Sequence, residues 1–351
     1  MKILLVSFDW RGGLTGYCRD ALRDMGDEIE VFYYKGPSRL SFTDRFMAKF
    51  DKYIPPYLSD KYEDSMILAI NKQLIAKAKS IRPDLVLIIN GEIIQPESIK
   101  EIKASANCFI ANWWVDSPFE YAEYLPNSRR ILSTLSLYDC VFIYDSYYLS
   151  LLREIGIKKV YHLPNAFEPR IFRKLELSKE EKEYFGSKIG FLGVVYPERI
   201  MILEKIIGEG VKIWGAGWEK LAANKEWADV IKGSVEPSDA AKIYNASEII
   251  INHHHRQCVN ASNQKTYEIA GCGGFQLVHK KSEIGQYFRS GEEMIYYESV
   301  DDIKKLIQYY LNRPSERKAI ADRANKKALA EHTYYHRMSY LKKILADNRL
   351  Q

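Results

Sequence analysis

Short apolar runs of strand type recur along most of this chain, and each is followed by a stretch with helical periodicity. That alternation demands parallel sheets of the doubly wound kind, with helices packed on their faces. The runs in the first half are Lys2–Ser7, Glu28–Tyr33, Leu85–Ile89, Cys108–Trp114, Cys140–Ile143 and Lys159–His162. Each ends on a Gly, Asp, Asn or Pro signal, as a strand-to-helix turn requires. After Leu163-Pro164-Asn165 the chain turns polar, with LELSKEEKEYFGSK over 175–188 reading as a linker. The pattern then restarts at Ile189–Val194, Val211–Trp214, Ile249–Ile251 and Phe275–His279. The reading is two Rossmann-like lobes, 1–175 and 176–351, facing a cleft, and a chain of 351 residues is long enough for both. Ligands in such sheets sit at the carboxyl ends of strands, so the residues just after strands carry the information.

Composition narrows the function classes. At 46% hydrophobic and 28% charged, the chain is neither disordered, collagen-like nor a coiled coil. Its 25 Tyr favour wet clefts or interfaces lined by rings. A net charge of +5 is too mild for a nucleic-acid binder, and no helix-turn-helix or zinc pattern occurs. It suits a protein that handles phosphates or approaches an anionic membrane. No run reaches the ~18 apolar residues of a membrane span. The opening MKILLVSFDWRGG is broken by Asp9 and Arg11 and reads as a strand, not a signal peptide. Five cysteines without metal-site spacing fit a reduced cytoplasm, which makes the Asn245 and Asn260 sequons accidental.

Five stretches stand out. After the first strand, Gly12-Gly13 before a helix allows a ligand close to the backbone, though a plain tight turn explains it equally well. After the fourth, Asp116 in Trp114-Val115-Asp116-Ser117-Pro118 is either a base or hydroxyl-holding group, or a turn cap. Gly193 leads to Pro197-Glu198-Arg199, where an Arg in the first helical turn opposes the helix dipole; a bound phosphate would relieve that, and a surface pair with Glu198 is the bland alternative. The densest stretch runs from Asn252 through His253–His255 and Asn260 to Phe275. There Asn263, Gln264 and Lys265 open a helix as a natural anion site, and Glu268 one turn on suits a ribose diol. The three histidines alternate faces on a strand and cannot converge on one ion, so no metal site is expected; His253 alone is taken to line the cleft. Finally, Phe42, Phe46, Phe50 and Tyr53 within Ser41–Tyr53 make an amphipathic stretch that either packs on its own sheet or touches a membrane at its periphery.

Taken together, Gly193…Arg199, Asn260…Lys265-Thr266-Tyr267-Glu268-Ile-Ala-Gly-Cys-Gly-Gly-Phe and Glu331-His332-Thr333-Tyr334…Arg337 resemble the group-1 glycosyltransferases of GT-B architecture, on their CgeB-like branch. The resemblance is strong from Ile189 onward and looser before Cys108. It implies a sugar transferase using a nucleotide-diphosphate sugar, UDP- or dTDP-linked, with a glycan, protein or lipid-linked acceptor. Arg199, Lys265, Thr266 and the amides near Asn263 and Gln264 would hold the diphosphate, and Glu268 the ribose. Gly193, Gly215, Gly217 and Val235 would approach the nucleotide, with Gly12 and Gly13 reaching it from the first lobe, and the closing helix would pack back toward that lobe. Many retaining relatives carry Glu-x7-Glu; here Asn260 stands in the first Glu position. The resemblance further implies retention of configuration and no metal or other cofactor. A nucleotide-sugar 2-epimerase and a silent nucleotide-binding scaffold are the competing readings on the same lobes.

Overall fold

The computed structural model describes residues 1–9, 13–36, 56–119 and 128–349, so Gly12 and the Ser41–Tyr53 stretch lie outside the described residues. It contains two six-stranded parallel sheets. The first comprises β1 (Lys2–Phe8), β2 (Glu28–Lys35), β3 (Leu85–Ile89), β4 (Phe109–Trp114), β5 (Cys140–Ile143) and β6 (Val160–His162), in the order β2-β1-β3-β4-β5-β6. The second comprises β7 (Ile189–Leu192), β8 (Val211–Trp214), β9 (Ile231–Gly233), β10 (Ile249–Asn252), β11 (Gln276–His279) and β12 (Ile295–Tyr297), in the order β12-β11-β10-β7-β8-β9. The expected doubly wound α/β architecture is therefore the observed one. Strands β9 and β12, both at the edges of their sheet, were not expected from sequence.

Every residue of β3 and of β5 is buried, as parallel strands covered on both faces must be. The second sheet is held by Ile189, Phe191, Ile213, Ile251 and Leu277, with Trp218 and Trp227 stacked beside them. The chain forms two compact units, Met1–Pro164 with Met338–Gln351, and Asn165–Arg337; the sequence reading had set its division at 175/176. The helix Tyr334–Arg349 begins in the second unit and joins the first from Met338 onward. There the Lys342 ammonium lies 2.6 Å from the buried Asp27 carboxylate, and Asn348 donates to the Tyr161 hydroxyl at 2.9 Å.

Strand order reverses between β7 and β10 in the second sheet and between β1 and β3 in the first. At such a reversal the flanking helices leave on opposite faces, opening a crevice beyond the strands' carboxyl ends. Each unit therefore has one place where a ligand site is geometrically favoured.

Candidate functional site

In the second unit β7 runs into Gly193, and the helix Pro197–Glu204 follows with its proline in the first turn. Arg199 is only 5% exposed. Its guanidinium folds back toward the strand ends, donating to the Val194 carbonyl at 2.7 Å and to the His253 carbonyl, beyond β10, at 3.1 Å. Tyr196 and Phe191 flank it, with ring centroids 4.9 and 5.7 Å away. Glu198 does not pair with it, and among the described residues no carboxylate does. Burial pulls its pKa below the ordinary range, yet a guanidinium stays charged. A buried cation stabilised only by carbonyl dipoles and rings is a costly arrangement unless an anion joins it. A Cβ on Gly193 would stand 2.9 Å from Arg199 Nη1, so the glycine makes room for the guanidinium.

The helix Gln264–Cys272 is opened by Asn263, whose side chain accepts from the Thr266 amide at 3.1 Å. That satisfies one of the donors every helix start leaves without a partner. The amides of Gln264 and Lys265 take no protein acceptor among the described residues. The helix start is seated by a buried network: Asn252 donates to Thr266 Oγ1 at 2.9 Å and to Gln276 Oε1 at 3.1 Å, and accepts from Asn263 at 2.8 Å. Gln276 in turn donates to the Thr266 carbonyl at 2.8 Å. Thr266, fully buried, thus spends its hydroxyl on the seat.

Lys265 is half-buried, and desolvation lowers its ammonium to about 8, with Arg199 adding to the effect and Glu268 opposing it. Glu268, one turn on and 7% exposed, is pushed up to about 7 by desolvation, against the pull of Lys265 and a 2.7 Å hydrogen bond from Gln264. Two cations are thus placed close enough to perturb each other, with two free amides and one carboxylate beside them. The loops nearest β7 reinforce this edge: Gly215, at φ +134°, packs directly on the Gly193 carbonyl, where a Cβ would collide. Its amide donates to the Gly233 carbonyl at 2.8 Å, while Gly217 packs on Val195 and Val235 is half-buried beyond β9.

Three imidazoles occupy the ends of β10 and β11. His253 stacks on His279 at 4.4 Å and shares a 2.9 Å hydrogen bond with the Tyr297 hydroxyl at the end of β12. Desolvation lowers His253 to about 3 and His279 to about 4, and holds His254 well below the ordinary range; neighbouring cations add to each. All three are neutral at pH 7. Among the described residues no group of three or more His, Cys, Asp or Glu is placed to hold a metal ion. Asn260 is half-buried, its carbonyl accepting from the Glu283 amide at 3.1 Å.

Two expected residues belong to the first unit. Gly13 caps the helix Leu14–Asp24, its carbonyl accepting from the Gly16 and Tyr17 amides. Asp116, just past β4, accepts a hydrogen bond from Asn90 at 3.2 Å. Arg199, Lys265, Glu268, Asn263, Gln264, Gly193, Gly215 and His253 all gather in the second unit. Sequence reasoning missed Asn252, Gln276, His279 and Tyr297. Asn252 and His279 lie at the carboxyl ends of expected strands, a signal that was available, whereas Tyr297 ends β12, which the sequence did not announce.

Residues 199–343 match the family model described as glycosyl transferase-like. The chain is 24% identical to spore protein CgeB of Bacillus subtilis over 84% of its length and 93% of that protein. Among solved structures, sucrose-phosphate synthase of Thermosynechococcus elongatus superposes with a TM-score of 0.69 at 12% identity, covering 99% of this chain and 98% of that one. HepE of Anabaena, in complex with UDP-glucose, gives 0.67 at 11% identity, covering 99% and 100%. Parallel six-stranded sheets in two units are the fold these solved structures share with this chain, the GT-B fold of glycosyltransferases, and the segment 199–343 is similar to the glycosyl transferase-like family. The chain's likeness to CgeB runs over most of both chains. No helix among the described residues is long and apolar enough to cross a membrane.

Proposed function

We propose that this chain transfers a sugar from a nucleoside-diphosphate sugar, UDP- or dTDP-linked, to a hydroxyl of a glycan, protein or lipid-linked acceptor, with retention and without a metal. One observation carries the reading: the buried Arg199 guanidinium, paired with no carboxylate among the described residues, stands close enough to Lys265 to perturb it, with two free helix-start amides alongside. A diphosphate supplies the negative charge that this arrangement lacks. As the anomeric bond breaks, charge builds on the departing diphosphate, and these donors are in place before it does. Glu268 holds the ribose hydroxyls through its carboxylate, oriented by Gln264. HepE, of the same fold, is described in complexes with UDP-glucose and with UDP, which favours a uridine donor here.

Asn260 contacts a sugar hydroxyl where many relatives present a carboxylate. With retention Asp116 positions the sugar or the acceptor hydroxyl; in an inverting reaction it would be the base. The test is thermal denaturation with UDP, dTDP, GDP, ADP and CDP in magnesium-free buffer, since a ligand of the native state alone raises the melting temperature. A selective rise with UDP or dTDP is expected. No rise with any nucleotide would remove the donor site from this reading.

A further inference from the structure

Asn90 is the non-glycine residue immediately after β3, at the strand reversal of the first sheet, and its backbone is left-handed with φ +55°. It is 2% exposed. An asparagine tolerates this conformation better than most residues, yet a glycine would adopt it without strain. The side chain explains its presence. Its Nδ2 donates to Asp116 Oδ2 at 3.2 Å while its Oδ1 accepts from the Val115 amide at 3.0 Å. Its own backbone is fixed on both sides, the amide donating to the Trp113 carbonyl at 2.9 Å and the carbonyl accepting from Asn112 Nδ2 at 2.9 Å. Both atoms of one buried amide are thus spent on two consecutive residues, Val115 and Asp116.

We infer that Asn90 is a positioning residue for Asp116, fixing the orientation of its carboxylate and favouring its charged form. This rests on the role proposed for Asp116. A hydrogen bond donated to a carboxylate stabilises its ionised state and restrains its orientation. Among the described residues the other charged or titratable groups at this edge are Asp9 after β1, Lys35 ending β2, Glu92 after β3, Asp145 after β5 and His162 ending β6. Glu92 is engaged by the Lys35 ammonium at 3.2 Å and the Tyr34 hydroxyl at 2.7 Å, and Arg130 donates to the Glu92 carbonyl at 3.0 Å. Asp145 accepts from the Tyr147 amide at 2.9 Å.

The test uses the full chain labelled with 13C at the aspartate carboxyl carbons, the Asp116 resonance being the one lost in Asp116→Asn. Its titration is followed in the wild type, in Asn90→Gly, which suits the left-handed backbone, and in Asn90→Asp, which keeps size but places a second carboxylate there. The midpoint should rise in Asn90→Gly and rise further, by about one pH unit, in Asn90→Asp. The same midpoint in wild type and Asn90→Gly would overturn the inference. With UDP-glucose as probe, release of UDP should fall in kcat with KM unchanged in both variants, the acid limb of the pH profile moving with the titration. A limb that stays put also overturns it. Unaltered turnover in Asp116→Asn would instead remove the role of Asp116, while the titration still decides whether Asn90 controls that carboxylate.

Discussion

The carboxylate of Glu268 offers the sharpest quantitative test of the donor site. Desolvation raises it from 4.5 to about 7, so in the free protein near neutrality it is only part ionised. A ribose diol donates hydrogen bonds to the charged form, so binding selects that form. The ionised fraction is about nine-tenths at pH 8 and about one-tenth at pH 6, which makes nucleoside affinity about tenfold weaker at pH 6, or about 1.4 kcal/mol. Uridine is the appropriate probe because it lacks a phosphate that titrates in this range. Calorimetric titration should show that slope with uridine and none with 2′,3′-dideoxyuridine. In Glu268→Gln the slope should vanish and the affinity at pH 8 should fall. Stability carries the opposite sign. A folded-state value above the unfolded one gives stability that is present below pH 4.5 and lost as pH rises to about 7, by about 3 kcal/mol. Glu268→Gln should therefore raise the melting temperature at pH 8. Uridine affinity that is flat from pH 6 to 8 in the wild type would refute the reasoning.

Three other outcomes are expected. Arg199→Leu should weaken UDP by at least about 100-fold, the order of a lost buried charge-assisted contact, while leaving uridine nearly unchanged; equal losses measured by calorimetry would exclude a phosphate role. Asn252→Leu removes the partners of Gln276 Oε1 and Asn263 Nδ2 and one of the two partners of the Thr266 hydroxyl, and chemical denaturation should show a loss of about 2–4 kcal/mol, against near-neutrality if the network is incidental. EDTA should leave the rate of UDP release from UDP-glucose unchanged, because Arg199, Lys265 and the helix amides provide the charge; loss restored by magnesium would show that a metal shares the task.

The central strands were legible because each is an apolar run ended by a turn residue, and parallel strands buried on both faces leave little ambiguity. Strands β9 and β12 were not: Ile231-Lys232-Gly233 and Ile295-Tyr296-Tyr297 are three residues each, and sheet edges impose no continuous apolar pattern. Arg199, Lys265 and Glu268 could be read because their positions in a helix's first turns carry an electrostatic meaning of their own. What Arg199 binds could not, since its acceptors come from the ends of two strands, β7 and β10, that are neighbours only in the folded sheet. Asn252 and Gln276 read as ordinary turn and strand residues. Their pairing depends on the register that places Ile250 opposite Gln276 and Asn252 opposite Val278, which no local pattern encodes. Asn90 was hidden for the same reason: its value lies in what β4 presents to it.

The return of Met338–Arg349 to the first unit sets an order of events during synthesis. When the first sheet's last strand leaves the ribosome, Asp27 is already in place but its Lys342 partner is separated from it by the whole of the second unit. Until then the Met1 ammonium, 3.0 Å from Asp27 Oδ1, is the carboxylate's cation, and the other oxygen gains Lys342 only when the last helix arrives. The first unit is thus translated first yet finished last, and a stalled chain ending before Met338 would present a nascent domain missing one of its walls, a natural substrate for chaperones.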